Sequence, residues 1–185
     1  MISVKNVDVA NSKRIIVSKE ELEKRILELG KRISEDYADK ELVLVGVLKG
    51  SIYFLTDLSR AIDLPLQIDL ISIGVFSNVT AKTGVVRITK DLDNDITGKH
   101  VIVVQDIIRS GLTSGYLLQN LETRGAASIK LCSLLYSPDE FILNFPIAYH
   151  GFEVSKAAWL IGYGLDINEI GRNLPYIAEI KGVRA

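Results

Sequence analysis

The stretch Val101-Ile102-Val103-Val104-Gln105-Asp106-Ile107-Ile108-Arg109-Ser110-Gly111-Leu112-Thr113 decides how this chain is read. Four β-branched apolar residues in a row predict a strand buried on both faces, as in a parallel sheet. The run gives way to an acid, an apolar pair and a short Ser-Gly-Leu-Thr loop. Helical spacing resumes at Tyr116-Leu117-Leu118 and Leu121. A strand that passes through a small-residue loop into a helix aims several backbone N–H groups at one point. Together with the helix dipole and the Ser110 and Thr113 hydroxyls, they make a cradle for a phosphate. An ordinary strand-to-helix turn fits the loop equally well when it is taken alone.

Outward from this stretch the chain alternates strand and helix patterns. On the N-terminal side, Ser18 with Glu21 three residues on is a capping box. The helix it opens places Leu22, Ile26, Leu29, Ile33 and Tyr37 on one face. Leu42 to Val47 predicts a buried strand broken by Leu48-Lys49-Gly50-Ser51, and Ile52 to Ile62 returns to helical spacing. Leu66 to Val75 predicts a strand with alternation visible at Ile68, Leu70 and Ser72. The polar run between Gly74 and Gly84 predicts a mobile lid, with Val85 to Ile88 pairing back. Residues 1–14 carry no period and predict an arm or edge strand.

On the C-terminal side, the helix runs to about Arg124 and closes at Gly125. Ser128 to Tyr136 predicts another strand, Ser137-Pro138-Asp139-Glu140 a turn, and Ile147 to Phe152 and Ala158 to Tyr163 two further strands. Strands alternating with helices predict an α/β fold with a mainly parallel open sheet and its site at the strands' C-terminal edge.

Composition narrows the function classes. A chain of 185 residues suits one domain with a sizeable core, and 48% apolar content with a mean hydropathy of +0.22 excludes disorder. A net charge of −1 gives no attraction to nucleic acid or anionic membrane. The single cysteine, Cys132, excludes an intrachain disulfide and sits in an apolar run, as a small buried hydrophobe would. With no apolar span of membrane length and no signal-peptide pattern, the expectation is a cytoplasmic protein.

The central stretch resembles the phosphoribosyl-diphosphate motif of the type I phosphoribosyltransferases: four apolar residues, two acids, two apolar residues, an acid, Ser or Thr, Gly, one variable residue and Thr. Leu48-Lys49-Gly50 resembles the pyrophosphate loop of the hypoxanthine-guanine phosphoribosyltransferases. Gly84-Val85-Val86-Arg87-Ile88 with Lys90-Asp91-Leu92, Gly151-Phe152-Glu153, and Gly162-Tyr163-Gly164-Leu165-Asp166 with Arg172-Asn173-Leu174-Pro175 extend the likeness from about residue 15 to about residue 181. The resemblance implies one phosphoribosyltransferase-like domain over 1–185, with a core at about 40–150 and a small hood from about 1–17 and 151–185.

It also implies roles. Ser110, Gly111 and Thr113 would hold the 5′-phosphate; Lys49, Gly50 and Arg172 the pyrophosphate. Gln105 and Asp106 stand at the ribose and Mg²⁺ positions, and Asp166 at a second Mg²⁺ position. Trp159 would stack on the purine, with Leu160 and Lys156 beside it. The implied partners are phosphoribosyl diphosphate and a 6-oxopurine or its nucleotide, with Mg²⁺ as cofactor and a homodimer or homotetramer as the assembly.

Four positions depart from the pattern. Arg109 replaces the aspartate that acts as general base, and an arginine stays protonated and accepts no proton. Gln105 replaces an acid. Ala158 falls where a purine-reading lysine is expected, with Lys156 two residues earlier, and Val75-Phe76 replaces the lid's Ser-Tyr. Two functions follow. One is a purine-salvage phosphoribosyltransferase that transfers ribose-5-phosphate to hypoxanthine or guanine, with Arg109, Asp106 and Lys49 in the catalytic set. The other is a weak or inactive paralogue that binds a nucleotide or phosphoribosyl diphosphate as a sensor.

Overall fold

The structure, a computed structural model, describes residues 13–77, 84–155 and 159–180; for residues 13, 75–77, 84 and 85 it describes the backbone alone. In chain order the elements are β1 (Lys13–Val17), α1 (Lys19–Asp36), β2 (Leu42–Leu48), α2 (Ile52–Ala61), β3 (Leu66–Ser77), β4 (Gly84–Lys90), β5 (His100–Ile108), α3 (Leu112–Glu122), β6 (Ser128–Tyr136), β7 (Tyr149–Glu153), β8 (Leu160–Ile161) and β9 (Ile177–Ile180). The expected arm at 1–12, the lid tip at 78–83, and Lys156 and Ala158 lie outside the described residues.

Six strands form one sheet in the order β4-β3-β2-β5-β6-β7. All neighbours run parallel except β4, which pairs antiparallel with β3 at the edge. Val101 to Val104 of β5 are buried on both faces, as their unbroken β-branched run predicts. Ile102 and Val104 face a core shared with Leu44, Phe54, Leu58 and the inner face of α1. Val101 and Val103 face a second core with Val43, Val45, Ile71, Leu117 and Leu121. Each such fully buried side chain contributes roughly 1.5–3 kcal/mol.

α1 starts where its capping box predicts: Glu21 N–H donates to Ser18 Oγ at 3.2 Å, and Ser18 N–H donates to Glu21 Oε2 at 2.7 Å. A Cβ on Gly30 would stand 2.5 Å from the Ala61 carbonyl, so glycine is what lets α1 approach α2 this closely.

Several elements differ from expectation, among them β8, which covers Leu160–Ile161 where a strand reaching Tyr163 is expected. β3 reverses the expected alternation: Asp69 and Ile71 are buried, while Ile68 is exposed. The reason is that Asp69 accepts the backbone N–H groups of Leu70, Asp93 and Asn94 and so belongs on the inner face. α3 ends at Glu122, two residues short of Arg124, and Gly125 follows at φ +71. β7 begins at Tyr149 rather than Ile147.

A smaller sheet, in the order β1-β9-β8 and antiparallel throughout, joins the first described strand to the last. Among the described residues no helix is long and apolar enough to cross a membrane.

Candidate active site

β2 and β5 are parallel neighbours, but the chain leaves β2 for β3 on one side and β5 for β6 on the other. Loops from a parallel pair that diverge in this way open a crevice at the C-terminal edge. Leu48 to Ser51 follows β2, and the 106–113 segment closes β5, so the two sequence-predicted loops meet there.

They meet very closely. A Cβ on Gly50 would lie 1.7 Å from Asp106 Oδ2. A Cβ on Gly164, whose φ is +101, would lie 1.9 Å from the Gly50 carbonyl oxygen. Three segments far apart in sequence thus stack with no room for a side chain between them. The peptide bond between Leu48 and Lys49 is cis.

Beyond this stack, charged groups converge. Arg172 Nη2 pairs with Asp166 Oδ1 at 2.7 Å and Glu169 Oε2 at 3.3 Å, and Nη1 donates to the Gly164 carbonyl at 2.7 Å. Its Nε is buried with no acceptor among the described residues. Lys49 Nζ donates to the same Glu169 oxygen at 3.1 Å. Glu169, with φ +66, donates its own N–H to Asp166 Oδ2 at 2.7 Å. Lys49 and Arg172 together hold the Glu169 carboxyl below its ordinary range, with burial opposing them only in part.

Asp106 is half-buried and behaves in the opposite way. Burial pushes its carboxyl above the ordinary value and Asp166 adds to this. The Ile107 and Asp106 N–H groups and Arg172 oppose the rise without cancelling it. No group of three or more His, Cys, Asp or Glu gathers as a metal set among the described residues.

Gln105, the neighbour of Asp106 on β5, is buried and accepts a bond from Ser114 Oγ at 2.6 Å. Its amide therefore ties the end of β5 to the first turn of α3. A cavity of about 170 Å³ opens at that turn, lined by Gln105, Arg109, Ser110, Gly111, Thr113 and Ser114 among others. Gly111 precedes the helix with φ +84, where a side chain would be strained, and a Cβ there would also strike the Phe141 ring at 2.6 Å. A larger hollow of about 360 Å³, lined by Glu23, Leu27, Asp57 and Arg60, shares no residue with this cavity.

On the remaining side, Arg109 Nη1 pairs with Glu140 Oε2 at 2.9 Å. Trp159 is 39% exposed, whereas Leu160 is buried in the core with Tyr163, Leu165 and Ile177. Leu160 thus lies in the order the motif predicts, but its side chain packs inward. The structure brings Lys49, Gly50, Asp106, Asp166 and Arg172 into one group, and Gln105, Ser110, Gly111 and Thr113 into another. Sequence reasoning missed Glu169 and Glu140. Glu169 carried the signal of an acid three residues from both Asp166 and Arg172, whereas Glu140 sits in a turn with no local hint of its partner.

Comparison with known proteins identifies the family. The phosphoribosyl transferase domain family matches residues 14–168. The hypoxanthine-guanine phosphoribosyltransferase of Mycobacterium avium is 42% identical over 174 residues, covering 91% of this chain and 85% of that protein. A crystal structure of the hypoxanthine-guanine phosphoribosyltransferase of Bacillus anthracis, with a HEPES molecule in its active site, superposes with a TM-score of 0.85 at 40% identity, covering 90% of this chain and 98% of that one. That of the Staphylococcus aureus hypoxanthine phosphoribosyltransferase superposes at 0.87 with 34% identity, covering 97% of each chain. With the type I phosphoribosyltransferase fold, the two-loop crevice and these relatives together, the chain belongs to the phosphoribosyltransferase family and, within it, to the hypoxanthine-guanine phosphoribosyltransferases.

Proposed function

We propose that this protein transfers the ribose-5-phosphate of phosphoribosyl diphosphate to N9 of a 6-oxopurine and releases pyrophosphate, as a purine-salvage enzyme of the cytoplasm. One observation carries the reading. A phosphate cradle at α3 and a cationic pair, Lys49 and Arg172, lie at the same sheet edge with Asp106 between their loops. A ligand with a phosphate at one end, hydroxyls in the middle and a pyrophosphate at the other has this order of charges.

In this reading Ser110, Thr113 and the first N–H groups of α3 hold the 5′-phosphate. Asp106 accepts from the ribose hydroxyls. Lys49 and Arg172 exchange the Glu169 carboxylate for pyrophosphate oxygens, and the acceptor-free Nε of Arg172 gains a partner. Trp159 offers a ring face for the purine. The residues also fit Mg²⁺, which takes one or two carboxylates and leaves its other positions to water and phosphate. Asp106 is an acid held up by burial and by a second acid, an environment a cation relieves. Asp106 and Asp166 would hold the ion, which supplies charge neutralisation for the leaving pyrophosphate. Fixed charge around C1′ then favours the oxocarbenium-like transition state over the neutral ground state.

Arg109 favours a second reading. With an arginine at the position of the family's base, the protein would hold phosphoribosyl diphosphate or a nucleotide without turning it over, as a sensor. The test offers phosphoribosyl diphosphate and Mg²⁺ with hypoxanthine, guanine, xanthine and adenine in turn, with calorimetry of the same ligands alongside. Nucleotide formed from a 6-oxopurine supports the enzyme; tight binding without product supports the sensor; absence of both removes each. The homodimer or homotetramer implied by the family is checked by light scattering.

A further inference from the structure

The segment after β8 turns sharply at Ile167-Asn168-Glu169-Ile170. Ile167 N–H donates to the Ile170 carbonyl and Ile170 N–H to the Ile167 carbonyl, both at 3.1 Å. The two residues between them, Asn168 and Glu169, have φ +53 and φ +66. A two-residue turn with positive φ at both centres favours Asn followed by Gly. Asn168 fits the first place, but the second holds a glutamate, whose Cβ is costly in a left-handed backbone. The side chain shows what that conformation supplies. Glu169 Oε2 accepts from Lys49 Nζ at 3.1 Å and lies 3.3 Å from Arg172 Nη2, so one oxygen bridges the two cations.

We propose that Glu169 is a positioning residue that competes with pyrophosphate for its two cations and so drives the leaving group's release. Its carboxylate takes Lys49 and Arg172 as pyrophosphate departs, and gives them up when phosphoribosyl diphosphate arrives. The inference rests on the phosphoribosyltransferase reading above, in which these cations hold the pyrophosphate. Arg172 does not need Glu169 to be aimed. Its Nη2 is held by Asp166 Oδ1 at 2.7 Å and its Nη1 by the Gly164 carbonyl at 2.7 Å. What Glu169 adds is a negative charge among donors that an anion must use. Arg172 Nε, buried with no acceptor among the described residues, is a donor the glutamate leaves aside. A pyrophosphate oxygen that takes it gains a bond the carboxylate never makes. The displaced carboxylate, on a side chain 63% exposed, stays close and repels the anion that replaced it.

The competing role is an ion pair that pre-aligns the cations for their ligand, and the two roles predict opposite signs. Glu169→Gln keeps the length of the side chain and removes its charge. Glu169→Gly removes the side chain and relaxes the left-handed backbone, which keeps the turn folded. Pyrophosphate, phosphoribosyl diphosphate and inosine 5′-monophosphate are titrated calorimetrically into the unaltered protein and both variants. Exposed ion pairs are individually weak, so the pyrophosphate Kd should fall by about three- to tenfold in both variants. The Kd for phosphoribosyl diphosphate and the inhibition constant of pyrophosphate in nucleotide synthesis should fall in step. The gain should shrink at high salt. The Kd for inosine 5′-monophosphate, whose phosphate belongs to the cradle at α3, should hold, which also reports an intact fold.

A pyrophosphate Kd for Glu169→Gln that is weaker, or within about twofold of the unaltered protein, overturns the inference. So does a gain confined to Glu169→Gly, which would come from the backbone alone. If the unaltered protein binds phosphoribosyl diphosphate and both variants match it, the phosphoribosyltransferase reading stands and only this inference falls. If it binds neither pyrophosphate nor phosphoribosyl diphosphate, both fall.

Discussion

Asp69 and Asp106 are both acids on strands that flank β2, yet their surroundings are opposite. Asp69, level with Val45 in mid-sheet, accepts N–H groups from Leu70, Asp93 and Asn94 and the Asn94 amide, with Lys90 Nζ 4.0 Å away. Burial pushes its carboxyl up, but those donors outweigh it and hold the group below its ordinary value. Asp106, at the strand end against Gly50, stays raised, because burial and Asp166 exceed the donors it is given. A carboxylate that the protein satisfies from its own backbone fastens a fold. One that the protein leaves short of partners waits for a cation or a hydroxyl from outside.

The contrast breaks first at Asp69. Asp69→Ala leaves the part-buried N–H groups of Leu70, Asp93 and Asn94 without their acceptor and should cost about 3 kcal/mol, which for a chain of this size lowers Tm by about 6–12 °C. Because the Asp69 carboxyl is depressed, its contribution is present above the unfolded carboxylate value and lost as pH falls through the folded one. The gap between variant and parent should therefore close in acid, which thermal melts across pH would show.

On the other side, Arg172→Gln should spare Tm by comparison and act on ligand. Removing one partner of a hydrogen-bonded charge pair costs about 2–4 kcal/mol, or roughly 30- to 1,000-fold in kcat/KM for phosphoribosyl diphosphate. Equal damage to folding and to kcat/KM would place Arg172 with Asp69 rather than with Asp106.

A smaller effect comes from Ser114→Ala. It strands the buried Gln105 amide and should cost about 1–3 kcal/mol by denaturant titration. The smallest, and opposite in sign, belongs to Asp106→Asn. A raised carboxyl costs stability as pH climbs from the unfolded value through the folded one, and that penalty is absent at lower pH. The variant should thus be about 1 kcal/mol more stable than the ligand-free parent at neutral pH, with the gain vanishing in acid, while turnover falls. A variant less stable than its parent at neutral pH would make Asp106 a structural acid after all.

Local signals were legible in the sequence wherever one segment carried its own instruction. The unbroken run Val101 to Val104, the Ser18/Glu21 box and the Ser-Gly-Leu-Thr loop specify a strand, a helix start and a strand-to-helix turn without help. β3 misled because Ile68 and Leu70 alternate as an inner face would, whereas the donors for Asp69 come from Asp93 and Asn94, more than twenty positions away. Glu140 was invisible for the same reason: its place beside Arg109 follows from the parallel register that sets Ile108 against Tyr136. The role of Gln105 also turned on a remote partner, since its amide is engaged by Ser114. Pairings across strands are written in packing rather than in spacing.

The bond between Gln105 and Ser114 has an entropic consequence. Together with Gly115 N–H on the Gly111 carbonyl and Ile142 N–H on the Ser110 carbonyl, it closes the Ser110–Thr113 loop, the proposed phosphate site, at both ends. An arriving phosphate then finds its donors already in position, so little chain freedom is lost on binding. The Gly115 amide, already bonded to the Gly111 carbonyl, should exchange slowly in the free protein and change little when a 5′-monophosphate is added, whereas the first amides of α3 should gain protection. The selectivity of such a loop comes from shape set at folding, and its on-rate is governed by diffusion rather than by rearrangement.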